Sequence, residues 1–337
     1  MIGREFYAGD ASARASWRLV VLMGANTRTY KFALGRTLLE FGRRGRDAVP
    51  LAEFAAAYGM AMAERVGRAA QASPNTPLGE RDFLTVARRE SPASLAAGEP
   101  TERLVAAAAE SIPEMVLRTF HNLRGGGPAP HTFYALTGRG RDRVLRLTPD
   151  LLRVAESEQA AGLAGELDAR WSIVECAFDA EVGVSLVREG VAVDWETLSV
   201  TDVHRRRSVT GVREATVSFQ HGRCLICQEV LAPDDATAVD HVFPHALMRR
   251  LASVGGWRGP DLDVLWNLAP VHASCNGAKS DRMPTAAELA RLAARNEAIM
   301  DSPHPLSSTL RLSREHALPG RRVATWAEFL DAVRSTV

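Results

Sequence analysis

The sequence predicts an α+β chain: a mainly helical N-terminal domain with a small hairpin, a compact module stapled by zinc, and a helical C-terminal tail. Three observations predict it. Apolar residues recur at helical spacing through most of residues 1–125. Two β-rich runs, 131–137 and 143–148, flank Gly138-Arg-Gly-Arg-Asp142, the pattern of a hairpin with an arginine-bearing loop. Cys224, Cys227, His272 and Cys275 form two x2-spaced pairs of ligands that a tight turn at each pair would gather around one tetrahedral Zn²⁺.

A chain of 337 residues is long enough for two domains. Lys plus Arg number 41 against 40 acidic residues, a net charge of +1. That balance excludes a generally basic surface, so any phosphate-binding face must come from local segregation of charge. Arginines gather at Arg43-Arg44-Arg46, at Arg139-Arg141-Arg143-Arg146 and at Arg205-Arg206-Arg207. Each run also reads as a solvated face; the third lies just upstream of the first cysteine pair and is the substrate-binding candidate. The only lysines are Lys31 and Lys279. Of four cysteines, Cys176 alone lies outside the zinc set, in the apolar run 171–178, and reads as a small buried hydrophobe. No disulfide framework is expected, and a reducing cytoplasm is the expected setting. No apolar run reaches membrane-spanning length and the N-terminus lacks a signal-peptide pattern, so no membrane partner is expected.

Taken in order, helix Ala13–Met23 stops at Gly24. Asn26 or Thr27 then caps a helix with Tyr30, Ala33, Leu34, Thr37, Leu38 and Phe41 on one face; Lys31 lies on its less apolar side and is predicted to be solvated. Amphipathic stretches follow at Leu51–Val66, 77–90 and 100–123, and the Gly- and Pro-rich segment 125–130 breaks the run. After the hairpin, Thr148 caps and Pro149 starts a helix predicted to continue to Phe178. The domain boundary falls near residue 200, giving a helical domain at 1–200, a zinc module at 201–285 and a helical extension at 286–337. Thr285 caps the first helix of that extension, and a closing helix spans 326–333. The N-terminal domain is the expected place for a protein partner or a second copy of the chain.

Beside the zinc ligands stand Asp240-His241, Asn267, Asn276 and Lys279. These are hard oxygen donors and a base, of the kind that Mg²⁺-assisted phosphodiester hydrolysis uses. Lysine is a compact point charge unlike arginine's fork, so Lys279 reads as phosphate-facing. The order and spacing across residues 224–281 resemble the HNH endonuclease family. That resemblance implies a ββα-metal fold, with Asp240-His241 ending the first strand, Asn267 in the connecting loop and Asn276 on the helix, a His-Asn-Asn variant. The second ligand pair departs from the Cys-x2-Cys common in the family, since His272 replaces a thiolate. The resemblance implies His241 as general base, Asp240 and Asn276 as holders of one Mg²⁺ or Mn²⁺, and Asn267 as the residue pinning the loop that faces His241.

His245 would reach the metal only if the segment turned helical, and a structural or substrate contact is the preferred reading. Arg249 and Arg250 are further substrate-binding candidates, and Trp257 would stack on a base or pack. His204 and His221 read as surface or core residues. Arg295-Asn296 and His304-Pro305-Leu306 resemble the tail of some bacterial HNH proteins and are given packing roles. The implied partner is nucleic acid, double-stranded DNA first, in restriction or phage defence by analogy of company rather than chemistry. Two alternatives stand: a nuclease for RNA or structured nucleic acid, and a non-catalytic zinc-binding module that binds nucleic acid or protein.

Overall fold

Ser12 Oγ accepts the Ala15 N–H at 3.1 Å and opens helix α1, Ala13–Met23, which ends at Gly24. Helix α2, Tyr30–Arg43, begins later than the Asn26 or Thr27 cap would place it. Asn26 instead donates to Gly24 O, and Thr29, the residue at the cap, gives its hydroxyl to Gln71 Oε1. The computed structural model describes residues 9–24, 26–123, 127–178, 191–194, 199–202, 208–248, 259–316, 318 and 323–336. These fall into two compact units: the described residues of Asp10–Ala160 and Arg170–Gly183 make one, and those of Met1–Gly9, Ala161–Ala169 and Val184–Val337 the other.

In the first unit, helix α3, Leu51–Val66, packs against α4, Phe83–Ala97, and α5, Glu102–Ser111. Gly59 allows the close approach to α5, because a Cβ there would stand 3.1 Å from Leu104 Cγ. Asp82 fixes the start of α4 by accepting the Leu84 N–H, so the helix runs later than the predicted 77–90. It continues through Pro92, which cannot donate to Arg88 O; the Ser91 hydroxyl donates there instead. The predicted helix 100–123 is also divided. Pro113 removes the donor that would extend α5, and Ile112–Leu117 winds as a π-helix. Part of the predicted 125–130 break lies outside the described residues.

Strands β2, Tyr134–Thr137, and β3, Val144–Leu147, form the predicted hairpin, and β1, Ala48–Pro50, adds an unpredicted antiparallel edge to β3. Thr148 caps α6, Pro149–Ala155, but the helix does not continue to Phe178. Ser157 turns its hydroxyl to Val154 O, and α7, Ala160–Phe178, begins anew. Cys176 is half-buried rather than buried. The core of this unit is aromatic: Trp17 meets Phe133 edge-on at 5.2 Å, Phe32 stacks on Trp171 and Tyr58 lies against Phe83. Lys31 is buried here too, at 8% exposure, against the expectation of a solvated side chain; its helix is covered on that side by Phe120 and Gly24.

The second unit contains an antiparallel meander of β4, Val191–Asp194, β5, Ser199–Asp202, and β6, Ser208–Gly211. Short helix α8, Val212–Thr216, leads to a second sheet of β7, Thr237–His241, and β8, Leu268–His272, with Asp240 opposite Ala269. Helix α9, Ala273–Lys279, follows β8 directly. Helices α10, Ala286–Asp301, α11, Leu306–His316, and α12, Trp326–Arg334, complete the unit; α11 was not expected. Trp266 packs edge-on against Phe329 at 5.1 Å and beside Trp326, so the loop before β8 is held by the C-terminal helices. No described helix is long and apolar enough to cross a membrane.

Candidate metal centre and active site

The first ligand pair is built by a tight turn. Gln228 takes a left-handed φ of 68°, costly for a residue with a Cβ, and its side chain secures the turn by donating to Cys224 O and Leu225 O. The second pair straddles the start of α9: His272 is the N-cap and Cys275 lies in the first turn. The register Thr237↔His272 brings this helix start beside the segment that follows the first knuckle. All four ligand atoms of Cys224, Cys227, His272 and Cys275 lie within 4.8 Å of one another, and His272 Nδ1 is 3.3 Å from Cys227 Sγ. Tetrahedral zinc separates its S and N ligands by about 3.5–3.8 Å. The group can therefore hold a metal such as zinc.

The surroundings fit a cation. His272 Nε2 faces Val230 O at 3.2 Å and Asp235 Oδ2 at 3.3 Å, which leaves Nδ1 as the ligand nitrogen, the usual carboxylate–histidine–metal arrangement. Burial raises the Cys224 thiol, but backbone N–H groups of the knuckle outweigh it and its pKa falls. Cys275 is pushed up to about 12 by burial and by crowding against Cys227 and Cys224. Three thiols this close release their protons together only when a cation compensates them.

A second cluster lies at the other end of the hairpin. His241 Nε2 is 2.8 Å from Asp263 Oδ1, with both side chains partly exposed. Asp263 was missed by the sequence reading; its own N–H is held by Asp261 Oδ1 at 2.8 Å. His245 stands near, its ring centroid 5.5 Å from that of His241. Asn267 is fully buried and pins the loop as expected: Oδ1 accepts the Phe243 N–H, and Nδ2 donates to Phe243 O and Leu262 O, all at 2.8–2.9 Å. With every polar atom so engaged, it positions the loop rather than meeting a substrate.

Lys279 does not face outward. Its side chain is 1% exposed and donates to Asp240 Oδ1 at 3.0 Å and to His241 O at 2.9 Å. The ammonium clamps the end of β7 to α9, which corrects the phosphate-facing reading. Asp240 Oδ2 is buried with no hydrogen-bond partner, and burial raises this carboxyl's pKa even though Lys279 lowers it. An orphaned carboxylate oxygen is one a cation can satisfy. Asn276 is half-buried one turn before Lys279 on the same helix. Arg205, Arg206, Arg207, Arg249, Arg250, His204 and Trp257 lie outside the described residues.

Helix α10 underpins both clusters. Arg291 donates to Leu225 O at 2.7 Å and Ile226 O at 3.0 Å, the carbonyls of the first knuckle. Arg295, 1% exposed, donates to Leu268 O and to Trp266 O at 3.0 Å, flanking Asn267, and Asn296 donates to Trp266 O at 3.1 Å. Burial lowers the Arg295 pKa to about 9. His304 is buried, edge-on to Phe219. In comparison with known proteins, no family model, no curated protein and no solved structure matches this chain, so the reading of the site rests on its own residues.

Proposed function

We propose that the second unit is a zinc-stapled, metal-dependent phosphodiesterase of the HNH type, acting on DNA. The observation that carries this reading is the pairing of His241 with Asp263 beside Asp240, whose Oδ2 is buried and unsatisfied. A carboxylate on Nε2 keeps the proton on that nitrogen and directs the imidazole lone pair to Nδ1, the orientation a general base needs. His241 Nδ1 then takes a proton from the water that attacks phosphorus. Asp240 Oδ2 and Asn276 would hold the divalent cation, which supplies charge stabilisation to the phosphate oxygens and the leaving group. Lys279 and Asn267 fix the two sides of the loop that carries His241. Zinc at Cys224, Cys227, His272 and Cys275 would be structural, since all four positions come from protein.

One contact favours a second reading, a non-catalytic zinc-binding module: Lys279 neutralises Asp240 without any metal. A plasmid-nicking assay separates the two. Zinc-loaded wild type, His241→Ala and an EDTA control are compared with Mg²⁺ and with Mn²⁺, on DNA and on RNA. Metal-dependent cutting that disappears in the variant supports the nuclease, and the substrate cut decides between DNA and RNA. If folded, zinc-loaded wild type cuts neither with either metal, the nuclease reading fails.

A further inference from the structure

A buried ammonium needs a counter-charge, and Lys31 has none among the described residues. It makes one long hydrogen bond, to Val20 O at 3.4 Å, and lies 5.8 Å from the Phe120 ring. The charged groups around it are no help. Arg170, buried on α7, repels it; His121 is pushed down to about 4 by burial and by Lys31 itself. Burial and Arg170 together lower Lys31 to about 8. The chain makes room for this arrangement, because a Cβ at Gly24 would collide with Lys31 Nζ.

Lys31 also lines a cavity of about 290 Å³. Asn26, Thr27, Thr119 and Asn122 give it polar walls, and Met115 and Val116 an apolar one. Those two belong to the π-helix, a winding that recurs at functional sites because it presents side chains an α-helix would turn away. Met115 remains 43% exposed. An unpaired buried cation, hydrogen-bonding walls and an exposed methionine thus converge on one cavity inside a single unit.

We infer that this cavity binds a small anionic molecule, whose phosphate or carboxylate pairs with Lys31 and whose body lies on Met115 and Val116. The site is independent of the zinc and His241 clusters and of the nuclease reading. Its ligand is an oxyanion of nucleotide size or smaller, taken up by charge rather than by metal.

Two lysines in the chain make the test direct. The full-length protein is acetylated sparingly at pH 8, alone and with saturating inorganic phosphate, AMP or benzoate, and each lysine is followed by mass spectrometry. At least one anion is expected to slow Lys31 labelling about fivefold or more, since at pH 8 a rise of its pKa from about 8 by one unit cuts the free amine from about a half to about a tenth. Response to phosphate and AMP assigns a phosphate site; response to benzoate alone assigns a carboxylate site. Lys31→Met is expected to melt higher than wild type, having lost an unpaired buried charge, and to lose the thermal shift that the same anion gives wild type. The proposal is overturned if no probe changes labelling or melting, if the variant keeps the shift, or if Lys31→Met melts lower, which would make Lys31 a structural residue. Protection in the wild type is readable even if the variant does not fold.

Discussion

An imidazole serves as a base only when one of its nitrogens is assigned the proton, and in the proposed mechanism Asp263, 2.8 Å from His241 Nε2, makes that assignment. Asp263→Asn is expected to lower nicking about 10- to 100-fold, as loss of an orienting partner does, while zinc content and melting temperature stay at wild-type values. A wild type that cuts beside an Asp263→Asn that cuts equally fast would remove the carboxylate from the mechanism. Asn267→Ala makes the opposite separation. It orphans the Phe243 N–H and two carbonyls, each costing about 1–3 kcal/mol, so chemical denaturation should show a large loss of stability before any kinetic effect can be isolated. Asp240, His241 and Asn267 were singled out through the resemblance of their order and spacing to HNH endonucleases, and of the roles it implied, the pinning of the loop by Asn267 is visible in its hydrogen bonds. Asp263 was not singled out, because Asp261 two residues away offers the same local chemistry, and only closure of the loop decides which one meets His241. Lys279 was read as outward from its rarity, whereas the packing of α9 on β7 turned it inward.

Single helices carry the next level of argument. Thr285 and Glu288 announce α10 with a reciprocal capping box, so its existence and start could be read directly. Its work could not. Arg291 and Arg295 look like ordinary helical charges until folding lays them over the carbonyls of the Cys224–Cys227 turn and of the loop around Asn267. Arg291→Ala is expected to cost about 1.5–3 kcal/mol, the range for hydrogen bonds from a charged donor, and to speed zinc transfer to a chromogenic chelator. In the other unit, the turn after the π-helix depends on a neutral histidine. The Phe133 N–H donates to His121 Nε2 at 2.9 Å, and burial together with Lys31 holds that ring at a pKa of about 4, below the ordinary 6.5. The unfolded chain therefore binds this proton first. The contribution of His121 is complete above pH 6.5, and it is lost as pH falls from 6.5 through 4. The protection of the Phe133 amide, its exchange rate measured against that of the unstructured peptide at the same pH, should fall across that window, and His121→Gln, which keeps an acceptor, should flatten the response. The helical breaks near Pro113 and Ser157 were harder to foresee, because one depends on a backbone donor that proline lacks and the other on a side-chain hydroxyl that takes a backbone carbonyl.

At the scale of the molecule, stability is divided between unlike sources. The unit of residues 10–160 and 170–178 holds an aromatic core of the size a domain of this length can sustain, whereas the β7–β8 hairpin and α9 are short and lean on the Cys224, Cys227, His272 and Cys275 cluster. Zinc withdrawal with phenanthroline, or Cys224→Ala, is expected to abolish nicking and unfold the hairpin, with Trp266 and Trp326 fluorescence shifting to the red. Helical circular dichroism from the N-terminal unit should persist; simultaneous loss of all of it would mean the two units do not fold independently. The mixed class, with helices first and a Cys/His cluster that could hold a metal later, was legible from periodicity and ligand spacing. The β4–β6 meander was not, because strands of four residues leave too short an alternation to detect. The distribution of lysine has a practical consequence. Lys31 and Lys279 are both buried, and each belongs to a different unit. A lysine-specific protease therefore has no accessible lysine among the described residues of the native chain. A cut after residue 31 reports opening of one unit and a cut after residue 279 opening of the other, so two bands on one gel follow two unfolding equilibria without any label.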